Sequence, residues 1–459
     1  MSRARLRSDK WNQREHPTVN RLLILYSSHS AVCGIGTWIE CLAEQLTLRQ
    51  WDVVVGLSWG QKFHKPDAVE EMRPGLQLVR LDGRTGTQAG RYLAIRNAIR
   101  RIKPDLVLVT LLDDGLRVMQ REKHLGSKVR FGFANHGNSP GDLAAAIELS
   151  DELDLVVSVN RASYQLLRDW PTAKWAPGSL QCISNAVPAA IVAHQSQHDK
   201  IRLGFVGRLT TDKGAEQIEP LLAALREKNC HFVLTIAGDG PFGETMTRLA
   251  AQFPEQVQYL GQLSRDQLYR QVYPKLDVII CLSPSEGWPM AIAEAMVHGV
   301  VPVSSEYTGV HLEDVIRHNE TGVLFPVGQP EIAADRIFEL AQDSARLADF
   351  QAAAQRIMTT QHSPEQFGNR WDECLRRALE RESSRSAATA ELPGFSVADI
   401  VKEWVRRFLG RSVLHRSVRA EWPMIAPRNE RLIAEVQQCL SETGIRGSGS
   451  GTAATSSIK

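Results

Sequence analysis

Four charged side chains have the types and spacing to do chemistry together. Glu286 and Glu294 stand eight positions apart in DVIICLSPSEGWPMAIAEAMVHG, residues 277–299. Arg208 and Lys213 stand five apart in FVGRLTTDKG, residues 205–214. A planar guanidinium and a mobile ammonium behind an apolar run suit a phosphate-bearing anion. Carboxylates accept hydrogen bonds from hydroxyl groups. One ligand of dinucleotide size could touch both acids.

The elements that must position these residues can be read from the pattern. The apolar run 277–282 predicts a buried strand, 283–288 a loop, and 289–298 a helix stopped by Gly299. Pro289 suits the first helical turn, and Gly299 the residue just past the end. If both acids were helical they would lie roughly 12 Å apart, within a quarter turn. The helix N-terminus between them offers free N–H groups and a positive dipole end. Glu294 falls within a nearly wholly apolar helix, so it needs a partner if buried. The plainer alternative is that Glu286 and Glu294 are solvated acids and Arg208 and Lys213 exposed bases on a turn.

Composition narrows the classes. The chain has 459 residues, 43% hydrophobic, enough for two or three domains with full cores. A formal charge of +2 does not imply nucleic-acid binding. No run of 18 apolar residues is present, so no membrane span is expected. The N-terminal MSRARLRSDKWNQREH is basic but lacks the apolar stretch of a secretory signal. Seven scattered cysteines without a CxxC fit a reduced, cytoplasmic setting with neither disulfide framework nor zinc site.

In chain order, residues 1–19 read as a flexible basic arm. Residues 21–26 form a strand, 27–36 a loop carrying Gly34 and Gly36, 37–49 a helix, and 52–57 the next strand. This opens a doubly wound sheet, although the full GxGxxG fingerprint of a dinucleotide site is absent. Further strands are expected at 76–81, 106–110, 129–134 and 155–159. They are continuous Val/Ile/Leu runs, as when both sheet faces are covered. His136 follows the 129–134 run, where such folds bind ligands; a structural histidine is the alternative. The N-terminal domain is set at 20–187, a polar linker at 188–200, and a second strand–helix alternation at 201–362. Its strands are 201–206, 232–237, 257–260, 277–282, 300–304 and 322–325. A helix at 363–381, a linker at 382–396, a helical extension at 397–445 and a low-complexity tail at 446–459 complete the chain. In 397–419, Val397, Ile400, Val401, Trp404 and Phe408 share one helical side, and six basic residues decorate the rest.

Taken in order, Gly207-Arg208 with Lys213-Gly214, Gly238-Asp239-Gly240-Pro241, Tyr259-Leu260-Gly261, and Ser285-Glu286-Gly287-Trp288-Pro289-Met290 with Glu294-Ala295-Met296 resemble the retaining, nucleotide-sugar-dependent glycosyltransferases of family four. The resemblance is strong over about 201–330, looser over 20–190, and does not reach 385–459. It implies an α/β GT-B fold of two facing Rossmann-like domains with a cleft between them. It implies that Arg208 and Lys213 contact the donor diphosphate, Glu286 the donor sugar and Glu294 the ribose. Gly261, Gln262 and Leu263 would flank the base, while Gly238, Gly287, Trp288 and Pro289 line the donor site. Gly34 and Gly36 would lie near the diphosphate and His136 near the transferred sugar. The helix at 364–380 resembles one that crosses back onto the first domain. Trp288 stands where the family usually has Phe, and Asn185-Ala186-Val187 where it usually has Asn-Gly-Val.

The expected partners are a nucleotide-diphosphate sugar as donor substrate and a glycan, lipid-linked or small-molecule acceptor, with no cofactor, metal or nucleic acid. Two other functions share the fold: a nucleotide-sugar epimerase, and a non-catalytic binding subunit. The basic segment 397–419 leaves two readings open: a helix on an anionic membrane surface, on the inner membrane face, or one packed on the first domain.

Overall fold

The structure is a computed structural model that describes residues 19–28, 34–60, 64–194, 200–313, 315–383, 397–409 and 429–445. The expectations for residues 1–18, Cys33, 384–396, 410–419 and the tail from 446 lie outside the described residues. The chain divides into two compact units. One comprises Met1–Val159, Ser163–Ala186 and Pro364–Asn429, the other Asn160–Ala162, Val187–Ser363 and Glu430–Lys459.

The first unit is built on a seven-stranded sheet: β1 (Asn20–Tyr26), β2 (Trp51–Trp59), β3 (Leu78–Asp82), β4 (Leu106–Thr110), β5 (Arg130–Asn135), β6 (Leu155–Ser158) and β7 (Leu180–Cys182). Their order is β3-β2-β1-β4-β5-β6-β7, with every pairing parallel. Leu22, Leu23, Ile24 and Leu25 are wholly buried, so neighbouring side chains on both faces of β1 are covered. That is why these strands read as unbroken apolar runs rather than alternations. The short β7 carries no such run and has no counterpart among the expected strands.

The helix Pro364–Glu380 closes this core. Phe367, Trp371, Cys374 and Leu375 pack into the cluster formed by Leu22, Ile24, Trp38 and Leu42. Trp51 Nε1 donates to Asp372 Oδ1 at 2.7 Å, and Arg49 Nη2 donates to Asn369 Oδ1 at 2.7 Å. The apolar stripe seats the helix, and these polar contacts set its register.

The helix Val397–Leu409 also belongs to this unit. Among its described side chains the buried one is polar; the side chains of Val397, Trp404 and Phe408 of the expected apolar side lie outside the described residues. The Glu403 carboxylate accepts from Thr87 Oγ1 at 2.9 Å, beside the N-terminus of the helix Gln88–Ile102, which Thr87 caps. Val401 and Val405 are exposed. A carboxylate is favoured where a helix presents its first N–H groups. No helix among the described residues is long and apolar enough to cross a membrane.

The second unit repeats the plan with six strands: β8 (Ile201–Val206), β9 (Phe232–Ala237), β10 (Val257–Tyr259), β11 (Val278–Cys281), β12 (Val301–Ser305) and β13 (Val323–Phe325). Their order is β10-β9-β8-β11-β12-β13, again all parallel. At the foot of the sheet the Asp277 carboxylate accepts from Arg202 N at 2.9 Å and Arg202 Nη2 at 2.5 Å. This buried pair locks β8 beside β11. The helix Glu430–Ile445 belongs to this second unit. Among the described cysteines none is in a disulfide, and Cys41, Cys230, Cys281 and Cys374 are buried.

Candidate functional site

In the second unit the winding direction reverses between β8 and β11. From β8 the chain moves outward through β9 and β10; from β11 it moves the other way, through β12 and β13. The connections beyond the carboxyl ends of β8 and β11 therefore part, and an open α/β sheet binds ligands in the crevice this leaves. The loop after β8 carries Arg208 and Lys213. The loop after β11 carries Glu286.

Lys213 and Glu286 meet there. Lys213 Nζ lies 2.7 Å from Glu286 Oε1 and 2.8 Å from Oε2, and Ser283 Oγ donates to Oε1 at 2.6 Å. Lys213 ends a short 3-10 turn, Thr211–Lys213, which Gly214 terminates at φ 70°. A β-carbon at Gly214 would collide with the carbonyl of Leu282 at the end of β11. Glycine thus lets the lysine turn press against the strand that launches Glu286. The side chains are 25% and 11% exposed, so the pair is reachable by a ligand yet largely shielded from bulk water.

Arg208 is not drawn into this pair. Its Nη2 donates to Asp212 Oδ2 at 2.5 Å, with the two side chains 64% and 55% exposed. It stands at the same sheet edge as a solvent-facing cation.

Glycines lace the neighbouring loops. Gly207 N donates to Ala237 O at 3.0 Å, Leu209 N to Asp239 O at 2.9 Å, and Gly238 N to Gly261 O at 2.8 Å. Gly238, at φ 151°, has no room for a β-carbon against the Gly207 carbonyl. The 207–209, 238–240 and 261 segments are therefore held together by backbone. Gln262 beyond them is exposed and Leu263 half-buried.

The helix of this motif runs Met290–Val297, with Pro289 as its N-cap rather than its first residue and no side chain capping it. Its first-turn N–H groups follow the Glu286 loop directly, the arrangement that favours an anion. Half-buried Gly287 separates Glu286 from Trp288. Trp288 is buried with its ring centroid 5.4 Å from that of His362. Glu294 is 6% exposed and accepts from Tyr273 Oη at 3.0 Å. Burial raises its pKa to about 7, against the pull of Arg265 and the Tyr273 hydrogen bond. The partner that the apolar helix demanded is thus a tyrosine twenty-one residues upstream.

The first-unit candidates require one correction. Gly34 and Gly36 are not in a loop: the helix begins at Gly34 and runs to Thr47. Gly36 is buried, and a β-carbon there would strike the Arg73 guanidinium, which pairs with Glu40. The glycine admits an arginine against the first turn of the helix. His136 does follow β5. Its ring meets the Trp38 ring edge-on at 4.4 Å, and its Nε2 is enclosed with no hydrogen-bond partner among the described residues. Burial lowers its pKa to about 3, so the imidazole is neutral near pH 7.

Sequence reasoning missed Ser283 and Tyr273. Ser283 stands three residues before Glu286, and the tightness of that loop was the available signal. Tyr273 gave none, because its contact depends on how the chain turns between 264 and 276.

Residues 188–357 match the family model described as glycosyl transferases group 1. The chain is 27% identical over 195 residues to sulfoquinovosyl transferase SQD2 of Arabidopsis thaliana, covering 37% of this chain and 36% of the relative. It is 28% identical over 172 residues to the amylovoran biosynthesis glycosyltransferase AmsK of Erwinia amylovora, covering 36% and 42%. The chain thus spans well under half the length of these curated relatives. Among solved structures it is similar to sucrose-phosphate synthase from Thermosynechococcus elongatus, with TM-score 0.66 and 16% identity over 78% of this chain and 98% of the other. It is also similar to Anabaena HepE in complex with UDP and glucose, with TM-score 0.61 and 18% identity over 78% and 100%. These likenesses, with the two parallel sheets, make the fold the two-domain Rossmann-like GT-B fold.

Proposed function

We propose that this chain is a retaining glycosyltransferase. It moves a sugar from a nucleotide-diphosphate sugar to a glycan, lipid-linked or small-molecule acceptor in polysaccharide or glycoconjugate biosynthesis. The observation that carries this reading is the Lys213–Glu286 pair at the reversal point of the second sheet, ahead of an uncapped helix N-terminus. The family match over 188–357 covers the same segment. One solved neighbour, HepE, carries UDP and glucose, a donor's two halves.

The difficult step breaks the bond between the sugar's anomeric carbon and phosphate oxygen. Negative charge grows on the leaving diphosphate, and positive charge on the sugar ring. Lys213, with Arg208 swung from Asp212, and the helix N–H groups meet the first. Glu286, held by Ser283, orients the sugar hydroxyls and offsets ring charge. The acceptor attacks the face the diphosphate leaves, and a leaving-phosphate oxygen takes its proton. His136, neutral, offers a hydrogen bond rather than charge to the sugar. Glu294 holds the ribose hydroxyls.

Two measurements test this. Proton NMR of the product shows the anomeric configuration of the donor; an inverted product overturns the retaining mechanism. Nucleoside diphosphate appears only when acceptor is added; release of an epimerised donor without acceptor marks an epimerase instead.

The reading extends to an anionic bilayer meeting the basic segment 397–419 when the acceptor is lipid-linked. Reversing Lys402, Arg406 and Arg407 to Glu then abolishes flotation with vesicles containing anionic phospholipid; unchanged flotation removes this part.

A further inference from the structure

Tyr273 sits at the end of an unusual piece of chain. Ser264 caps the first turn in both directions: its hydroxyl accepts from Gln267 N, and the Gln267 side chain accepts from Ser264 N. The next five residues, Leu268–Val272, form a π-helical turn, and Tyr273–Lys275 close in a 3-10 turn around Pro274. Wide π turns are rare, and their occurrence concentrates at functional sites. This one brings two tyrosines into a clamp. The Tyr269 and Tyr273 rings meet edge-on at 5.8 Å. Both touch the buried His298 ring, at 4.7 and 5.5 Å. His298 is anchored in turn, with Nδ1 donating to the Glu294 carbonyl at 2.8 Å. Tyr273 and His298 are both wholly buried.

The hydroxyl of Tyr273 consequently has one place to be, and Glu294 Oε2 is there at 3.0 Å. Among the described residues it is the single hydrogen-bond donor to this carboxylate's side-chain oxygens. Oε1 is left to accept from a ligand. We infer that Tyr273 is a positioning residue for the nucleotide: it commits Oε2 of Glu294 to the protein and aims Oε1 at a ribose hydroxyl, so that the site selects ribonucleotides over deoxyribonucleotides. This rests on the proposed donor-site role of Glu294.

The electrostatics agree with the geometry. The Glu294 carboxylate is faced by Tyr273 and Arg265; Tyr269 packs on Tyr273 and His298, and His298 bonds the Glu294 backbone carbonyl. Burial raises the Glu294 carboxyl, and Arg265 and the Tyr273 hydrogen bond both favour its ionised form. Burial also raises the Tyr273 phenol well above its ordinary value, so it stays protonated and donating near neutrality. Removing the hydroxyl therefore moves the carboxyl to still higher pKa.

Tyr273→Phe keeps the ring in its clamp and deletes the hydroxyl. The test titrates the full-length protein with UDP and GDP and their 2′- and 3′-deoxy forms by calorimetry, from pH 5.5 to 9. The wild type prefers the ribonucleotide to at least one deoxy form by about tenfold or more, the size of one hydrogen bond to a charged group. In Tyr273→Phe that preference shrinks to within about threefold, and the acid-side loss of affinity moves to higher pH. Glu294→Ala abolishes the preference, and adding Tyr273→Phe to it changes nothing further. A tyrosine that merely filled space would leave preference and pH profile untouched, and that result overturns the inference. If wild type transfers sugar but does not distinguish ribose from deoxyribose, the inference falls and the transferase reading stands. If wild type neither binds these nucleotides nor turns over a nucleotide sugar, both fall.

Discussion

Replacing Glu294 by Gln should make the protein more stable at pH 8 while weakening its hold on the donor. The carboxyl is 6% exposed in an apolar helix, and burial lifts its pKa from 4.5 to about 7. A raised folded-state pKa means the native state binds the proton more tightly than the unfolded chain does. The stability this contributes is complete below pH 4.5 and lost as pH rises through about 7. A gap of this size costs the ionised wild type roughly 3 kcal/mol above pH 7. The amide removes that cost. It keeps an oxygen for Tyr273 Oη but puts an NH2 group where Oε1 stood, for a loss of about 1 kcal/mol. The net gain of about 2 kcal/mol corresponds to a Tm increase of about 4–8 °C for a domain of this size. Thermal melts of both proteins from pH 5 to 8 measure it: the variant's advantage is greatest at pH 8 and vanishes or reverses by pH 5. Donor KM rises in parallel. A variant that melts no higher than wild type at pH 8, or by a margin independent of pH, would refute the account of Glu294 as a carboxylate held at energetic cost for a ligand.

The two cations should respond differently to removal. Lys213→Ala strips a shielded charge from the leaving diphosphate and leaves Glu286 without its cation; turnover falls about 100- to 1,000-fold, with a stability loss of about 1–3 kcal/mol. Arg208→Ala breaks an exposed pair with Asp212, so Tm stays within about 4 °C, because such pairs contribute about 0–1 kcal/mol, while turnover still falls at least tenfold. Rates near wild type in both variants, with folding intact, remove the diphosphate role of this edge.

Much of this molecule could be read from the chain because parallel sheets covered on both faces demand unbroken apolar strands. Most of the strands announce themselves that way; β3 alternates, β10 carries an exposed Gln258, and β7, three residues at the sheet edge with no wholly buried position, gives no such signal. That the Lys213 and Glu286 loops share one edge was legible for the same reason; their ion pair was not. Parallel strands bring all their carboxyl-end loops to one edge, so the charged loops after β8 and β11 share it; the sheet order then makes them neighbours. Composition likewise required a partner for Glu294, since a carboxylate among Ala, Ile, Met and Val cannot be buried alone.

What remained was decided by tertiary structure, because it turned on short-range geometry that no periodicity encodes. Whether Arg208 faces Asp212 or the crevice depends on a few exposed torsions, which packing does not constrain. Gly34 and Gly36 looked like loop residues, but they open a helix, in whose first turn Gly36 leaves room for Arg73. The identity of Glu294's partner depended on one π turn that redirects Tyr273. The sequence determined that Arg208, Lys213 and Glu286 follow the carboxyl ends of parallel strands and so share a sheet edge. The fold decided which groups hold each acid, Lys213 and Ser283 for Glu286 and Tyr273 for Glu294, since that is settled by clamped rings and close backbone approach, and these exist only once the chain is packed.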